Sequence, residues 1–480
     1  MTKAKIIATI GPASRRYGTI RDMISAGTRV IRLNFSHGNR DEHHATVTWA
    51  RKASEELDTP IAIFQDLQGP KIRVGELKEP YYDLERGDVV SISTKPMLGT
   101  HKLFSIDYPT LHEEISPGHR MLIDDGLISL IVEDINGEHI TARVTDGGRL
   151  KPRKGVNLPG IALSRLSSFT EKDCADLSFA FEHKLDYVAL SFVRSAEDVK
   201  ALRAYMLKTF DEEIPIISKI EKPEAVEDID QIIESSSAVM VARGDLGVET
   251  SPEEVPIIQK RIIRSCNLAG VPVITATQML ESMISNPRPT RAEAGDVANA
   301  ILDGTSAVML SGETAAGTYP LQSVEMMHRI VSHTEQSEAY QRIVLDQRLN
   351  REDIELKRKK STTEAVGLAT RELALAIRAS YIASFTHSGG SARLVSKFRP
   401  GVPIIGFSPI QQTVQRLALS WGVTPLLVED LTTVDDLLDY ASEHLKSLGL
   451  VRPGDTIVIT AGVPVGSPGK TNMIKVVEIS

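Results

Sequence analysis

Lys219 and Glu221 stand two residues apart at the end of an apolar run, in Ser218-Lys219-Ile220-Glu221-Lys222-Pro223. Side chains alternate along an extended chain, so the two share one face. The next apolar run ends in Ala242-Arg243-Gly244-Asp245-Leu246-Gly247 and brings a second carboxylate to the neighbouring position. Two carboxylates from adjacent strand ends suit Mg²⁺, which takes one or two of them and fills its shell with water and substrate oxygens. A lysine beside such an ion can neutralise charge on a phosphoryl group in transfer. Gly244 and Asp245 precede an expected helix, whose free N–H groups can hold a carboxylate or a phosphate. Lys219 and Glu221 alone read as readily as a plain ion pair; Asp245 beside them favours a site.

Other strand ends carry similar groups. Arg32, Asn34 and Ser36 share a face in Arg32-Leu33-Asn34-Phe35-Ser36-His37-Gly38, a set suited to an anion with a cation beside it, or to a capped turn. Gln65-Asp66-Leu67-Gln68-Gly69-Pro70-Lys71-Ile72-Arg73 puts Asp66 near Asn34 and Ser36 and adds the charges of Lys71 and Arg73; a salt-bridged crossing loop is the bland reading. Thr277 follows a seventh run, with Met279, Leu280 and Met283 at core spacing, and Ser311 with Glu313 follows an eighth. Near the C-terminus, Thr386, His387, Ser388, Gly389, Gly390 and Ser391 lie between a strand-like run and a helix bearing Arg393 and Lys397. Small residues there let backbone amides approach a phosphate, or simply make a turn. Gly462, Gly466, Gly469 and Lys470 form a further glycine-rich loop.

These groups need a scaffold that collects strand ends. Eight short apolar runs, at 5–10, 29–33, 60–65, 186–191, 215–219, 238–242, 272–276 and 307–310, alternate with helical stretches. Such runs, bounded by turn residues, read as buried parallel strands. Eight of them predict a TIM (β/α)₈ barrel, in which catalytic groups gather at the C-terminal strand ends. Ser251-Pro252-Glu253-Glu254 and Thr290-Arg291-Ala292-Glu293 read as capped helix starts. Residues 71–166 break the rhythm with short alternating segments and turns, predicting a small all-β lid inserted between residues 1–70 and 167–340. Residues 345–361 are densely charged and read as a linker with a solvated helix start. A second α/β rhythm follows, so 341–480 is expected to be a separate, doubly wound domain.

At 480 residues the chain is long enough for several domains. A net charge of −8 leaves no surplus basic surface for nucleic acid. Two cysteines, Cys174 and Cys266, make neither a disulfide framework nor a zinc site. No signal-like segment or membrane-length apolar run is present, so the expected address is the cytoplasm, without membrane contact.

In combination these motifs resemble the pyruvate kinase family. Ile31-Arg32-Leu33-Asn34-Phe35-Ser36-His37-Gly38, Ser218-Lys219-Ile220-Glu221, the stretch around Asp245, Thr277-Gln278-Met279-Leu280-Glu281-Ser282-Met283 and Pro287-Arg288-Pro289-Thr290-Arg291-Ala292-Glu293 carry the likeness, with Lys154-Gly155-Val156-Asn157-Leu158-Pro159-Gly160 at the return from the lid. The likeness spans essentially the whole chain. It implies a β-barrel lid, a C-terminal regulatory domain and phosphoryl transfer from phosphoenolpyruvate to ADP, giving ATP and pyruvate. By position, Glu221 and Asp245 would hold Mg²⁺ or Mn²⁺, Lys219 and Arg32 the phosphoryl group, and the Gly244 and Asp245 amides the substrate carboxylate. Thr277 and Ser311 are candidates around the enolate that must be protonated. Asn34, His37, Arg73 and Lys154 would face the nucleotide, with Asp125 a weaker candidate. A homotetramer and a phosphorylated sugar or nucleotide monophosphate effector at 386–391 are also implied.

One segment departs from the commonest family pattern. Many members carry threonine, lysine and glutamate where this chain has Leu67, Gln68 and Lys71, and bind K⁺ with the counterparts of Asn34, Ser36 and Asp66. The expectation is that the Lys71 ammonium takes the K⁺ place, so that K⁺ is not required. Two other readings of the rim remain: a Mg²⁺-dependent lyase or aldolase of pyruvate enolates, and a non-catalytic sensor of phosphorylated metabolites.

Overall fold

In the computed structural model, residues 2–161, 167–343, 361–465 and 471–480 are described. Most of the expected charged linker, together with Gly466, Gly469 and Lys470, lies outside them.

The eight apolar runs form one closed parallel barrel. Its strands are β1 (Lys5–Thr9), β2 (Thr28–Asn34) and β3 (Ala62–Asp66), then β12 (Tyr187–Val193), β13 (Ile216–Ile220), β14 (Ala238–Ala242), β15 (Val273–Ala276) and β16 (Ala307–Leu310). Around the barrel they run β1-β16-β15-β14-β13-β12-β3-β2. Runs such as Ala-Val-Met-Val-Ala in β14 are buried at every position, because the barrel interior covers one face and the helices the other. Ile7, Val30, Phe64, Ile217, Met240 and Ile274 fill the barrel interior.

Between β3 and β12 the chain leaves the barrel for the lid. Its strands are β4 (Tyr82–Leu84), β5 (Val89–Ser93), β6 (Leu103–Ser105), β7 (Arg120–Ile123), β8 (Ile128–Asn136), β9 (His139–Asp146), β10 (Gly148–Leu150) and β11 (Val156–Asn157). They form a six-stranded sheet, β11-β7-β8-β9-β5-β6, and a β10-β4 pair, over a core separate from that of the barrel. The C-terminal sheet, β19-β18-β17-β20-β21, comprises β17 (Tyr381–Phe385), β18 (Ile404–Ser408), β19 (Val423–Leu427), β20 (Thr456–Ala461) and β21 (Met473–Glu478). Only β21 runs antiparallel, and apolar clusters cover both faces. No helix among the described residues is long and apolar enough to cross a membrane.

Of the two expected caps, Thr290 stands: its side chain accepts the Glu293 N–H, and Glu293 returns a bond to the Thr290 N–H. Ser251 does not cap its helix. Residues 251–254 make a turn, and the helix Val255–Ala269 starts four residues later with Pro256 in its first turn. A proline is tolerated there because that N–H has no helical partner.

The C-terminal domain closes the N-terminal end of the barrel. Ala418 and Leu419 join the interior cluster, and the Tyr187 hydroxyl donates to the Arg416 carbonyl at 2.9 Å. Lys5 on β1 donates to the Val423 carbonyl at 2.7 Å. Burial pushes the Lys5 ammonium down to about 7, with Arg29 adding to the effect and Glu335 opposing it. Unfolding restores the ordinary value of 10.5, so between these values the unfolded chain holds more protons and stability rises with pH. Below that window both states are charged and the penalty is complete. Denaturant titrations should show wild type gaining on Lys5→Met by about 1.4 kcal/mol per pH unit between roughly pH 7.5 and 9.5. A difference that stays flat with pH would contradict the buried amine.

Candidate active site

Barrel topology delivers the expected residues to one rim. Asn34 pairs with Asp66 in the β2–β3 register, and Lys219 leaves β13 two strands along, beyond β12. Asp66 is 1% exposed and lies between two cations. Its Oδ2 accepts from Arg32 Nε at 2.7 Å and Nη2 at 2.6 Å, a two-pronged grip suited to guanidinium geometry. Its Oδ1 lies 3.3 Å from Lys219 Nζ. Burial favours the protonated acid, but Lys219 and Arg32 outweigh it and hold Asp66 below the usual carboxylate range.

Lys219 Nζ also donates to Ser191 Oγ at 2.8 Å and pairs with Glu221 Oε1 at 3.0 Å. Burial lowers its affinity for a proton, yet Asp66 and Glu221 prevail and keep it an ammonium. Glu221 accepts the Phe192 N–H at 2.6 Å on its other oxygen. Burial raises its pKa, Lys219 lowers it and Asp245 raises it again. A buried carboxylate that feels a second carboxylate this way is an environment a cation relieves. Two carboxylates fit Mg²⁺ or Mn²⁺, which need few protein ligands. Among the described residues no cluster of three or more acidic, histidine or cysteine side chains could hold a metal by itself.

The helix Arg243–Glu249 begins at the end of β14. The Gly244 N–H donates to Thr277 Oγ1 at 2.8 Å, and that hydroxyl donates to the Ala276 carbonyl at 2.6 Å. Thr277 and Gln278 both adopt left-handed backbone, with φ of 66° and 54°. Arg243 holds this unfavourable turn. It donates to the Thr277 carbonyl at 2.7 Å and the Ala276 carbonyl at 3.2 Å, and is anchored on Asp296 at 2.7 and 2.8 Å. Glu313, fully buried, accepts the N–H groups of Leu280 (3.0 Å) and Ser311 (2.7 Å), tying the β15 and β16 ends together. Ser311 Oγ is buried without a hydrogen-bond partner.

The rest of the expected set is dispersed. Asn34 Oδ1 accepts the Ser36 N–H at 3.1 Å, and the His37 carbonyl bonds the His43 ring at 3.0 Å. Arg73 and Lys154 lie in the lid; Arg73 donates to the Arg153 carbonyl at 3.3 Å, and Lys154 pairs with Asp124 at 2.8 Å, next to Asp125. Lys71 is not joined to Asn34, Ser36 or Asp66 by a hydrogen bond or ion pair. Its side chain lies over Gly155, where an added Cβ would come within 2.9 Å of its Cε. The 386–391 loop opens on a cavity of about 400 Å³ in the C-terminal domain. There His387 pairs with Asp430 at 3.1 Å, Ser391 bonds Thr471 at 2.6 Å, and the helix Gly390–Lys397 begins.

Sequence reasoning missed Ser191 and Phe192 at the end of β12, and the bracing by Arg243. The barrel rule alone could have pointed to the β12 end, the one strand end of the second half given no role.

Comparison with known proteins decides the family. The family model described as pyruvate kinase, barrel domain, matches residues 1–324, and that for the pyruvate kinase alpha/beta domain matches 364–477. The chain belongs to the pyruvate kinase family. Pyruvate kinase of Geobacillus stearothermophilus is 46% identical over all of this chain and 80% of that protein. That of Clostridium acetobutylicum is 42% identical over 99% of both. A crystal structure of a pyruvate kinase from Cryptosporidium parvum superposes with a TM-score of 0.93 at 35% identity, covering 100% of this chain and 96% of that one. Family membership makes this chain a phosphotransferase and brings an expectation of divalent-cation dependence.

Replacing Asp66 by asparagine keeps the shape and removes the charge between Arg32 and Lys219. Urea unfolding at pH 7 should lose about 3 kcal/mol. The stabilising effect of Asp66 is present above its unfolded pKa and is lost as pH falls through the lower folded one. The gap between variant and wild type should therefore close in acid, below roughly pH 4.

Proposed function

We propose that this chain transfers the phosphoryl group of phosphoenolpyruvate to ADP, giving pyruvate and ATP, as a cytoplasmic glycolytic enzyme. The observation that carries the reading is the buried Lys219 ammonium, held at 3.0 Å from Glu221 and 3.3 Å from Asp66 with Arg32 on the same aspartate. Two fixed cations at one rim suit a transition state whose charge spreads over phosphoryl oxygens. Arg32 and Lys219 would bind those oxygens while the bond to the enol oxygen breaks and one to a terminal ADP oxygen forms. Glu221 and Asp245 would hold Mg²⁺ or Mn²⁺, which when bound offsets the negative charge of the substrates.

The Gly244 and Asp245 amides would take the substrate carboxylate, displacing the Thr277 hydroxyl that now occupies the Gly244 N–H. The released Thr277 hydroxyl then stands near the enolate, which takes a proton at carbon. Ser311, whose hydroxyl lacks a partner, is the second candidate in that relay. Asn34 and His37 on the rim and Arg73 and Lys154 on the lid would meet the nucleotide as the lid closes. In the same closure the Lys71 amine would enter the corner of Asn34, Ser36 and Asp66, so this reading has no need for K⁺. The cavity at 386–391 would bind a phosphorylated sugar or nucleotide monophosphate in a homotetramer.

ATP formation from phosphoenolpyruvate, ADP and Mg²⁺ in K⁺-free buffer, repeated with KCl, tests this directly. Full turnover without K⁺ is expected; turnover only with K⁺ removes the role of Lys71 and leaves the reaction. Lys219→Met should lower kcat by at least ~10²-fold. Retention of most activity would end the phosphoryl-stabilising role.

A further inference from the structure

The helix Arg243–Glu249 carries Gly244 and Asp245 in its first turn and Glu249 as its last residue. Glu249 is 4% exposed, and its Oε1 receives two donors, each at 2.7 Å. One is Asn157 Nδ2, from lid strand β11, where Asn157 is fixed by pairing with Leu122 of β7. The other is Lys222 Nζ, one residue beyond Glu221 and just before the helix Pro223–Glu227. Lid and barrel thus share a single carboxylate oxygen. Gly126, in the lid turn after β7, lies near the preceding residue: a Cβ built on it would sit 4.0 Å from Val248 Cγ1. The lid therefore bonds the last residue of a helix whose other end faces the rim.

A helix of seven residues spans about 10 Å at 1.5 Å per residue. Its backbone hydrogen bonds link one end to the other. We propose that Glu249 is a positioning residue through which the lid, by way of Asn157, sets the helix that presents Gly244 and Asp245 to metal and substrate. Lys222 anchors the same carboxylate beside Glu221, so both metal-facing carboxylates are indexed to the lid at one point. The proposal rests on the reading of Asp245 as a metal carboxylate, and the experiment separates the two.

Asn157→Ala in the full-length chain is compared with wild type and with Asp245→Asn. Three readouts are taken: hydrogen exchange of the 243–249 amides, Mn²⁺ binding by electron paramagnetic resonance without substrates, and steady-state kinetics. Asn157→Ala should speed exchange in 243–249 and weaken Mn²⁺ binding by up to about tenfold, the low end of the loss seen when a ligand's own hydrogen-bond partner is removed. KM for phosphoenolpyruvate should rise by more than kcat falls. In a Glu249→Ala background Asn157→Ala should add nothing to the Mn²⁺ effect. Unchanged exchange in 243–249 overturns the proposal. So does faster exchange with unchanged Mn²⁺ binding when Asp245→Asn does weaken it. If Asp245→Asn has no effect on Mn²⁺, the metal reading fails, while faster exchange and raised KM in Asn157→Ala still support the coupling. Should Asn157→Ala unfold the lid, Asn157→Ser carries the same comparison.

Discussion

One buried carboxylate organises the rim. Asp66 takes Arg32 from β2 on one oxygen and Lys219 from β13 on the other, and it is the group that lets two cations stand close together away from bulk water. Without it their mutual repulsion and desolvation would oppose folding. Glu221 on the far side of Lys219 extends the row, so positive and negative groups alternate from Arg32 to Glu221. The barrel is what makes this row possible, because parallel strands bring residues far apart in sequence to the same end. The cost of so much buried charge is offset by the apolar cluster inside the barrel and by the helical shell.

Much of this was readable from the chain. Buried parallel strands announce themselves as unbroken apolar runs, and all eight fall where the runs do; the β14 bounds coincide with the run 238–242. Polar residues that follow such runs, Asp66, Lys219, Glu221 and Asp245, stand at the rim for that reason. The end of β12 was opaque because Ser191-Phe192 looks like more strand. Part of its function lies in the backbone, where Phe192 turns left-handed with φ of 55° and aims its N–H at Glu221, beside the Ser191 hydroxyl that takes Lys219. The Ser251 cap misled because a capping sequence specifies a turn as readily as a helix start.

Where the backbone carries Lys71 in this structure was not legible in the sequence. Lys71 is expected beside Asn34, Ser36 and Asp66 because it stands where K⁺-dependent members of the family carry a glutamate. Gly69, with φ of 68°, turns the chain so tightly against Ser191 that an added Cβ would lie 2.8 Å from the Ser191 Cβ. That turn carries Lys71 towards the lid return at Gly155, and the position next to Asp66 is taken by Lys219, distant in sequence.

The bond from Gly244 to the Thr277 hydroxyl has a thermodynamic consequence. A carboxylate arriving at this amide exchanges one acceptor for another, so the number of hydrogen bonds is unchanged by its arrival. What it adds is charge, since an ionised acceptor bonds an N–H more strongly than a hydroxyl does. A neutral ester or amide of the same shape would add no charge. On the proposed reading, the protein's own hydroxyl would set the threshold that a ligand must exceed, and discrimination at this end of the site would turn on anionic character over outline.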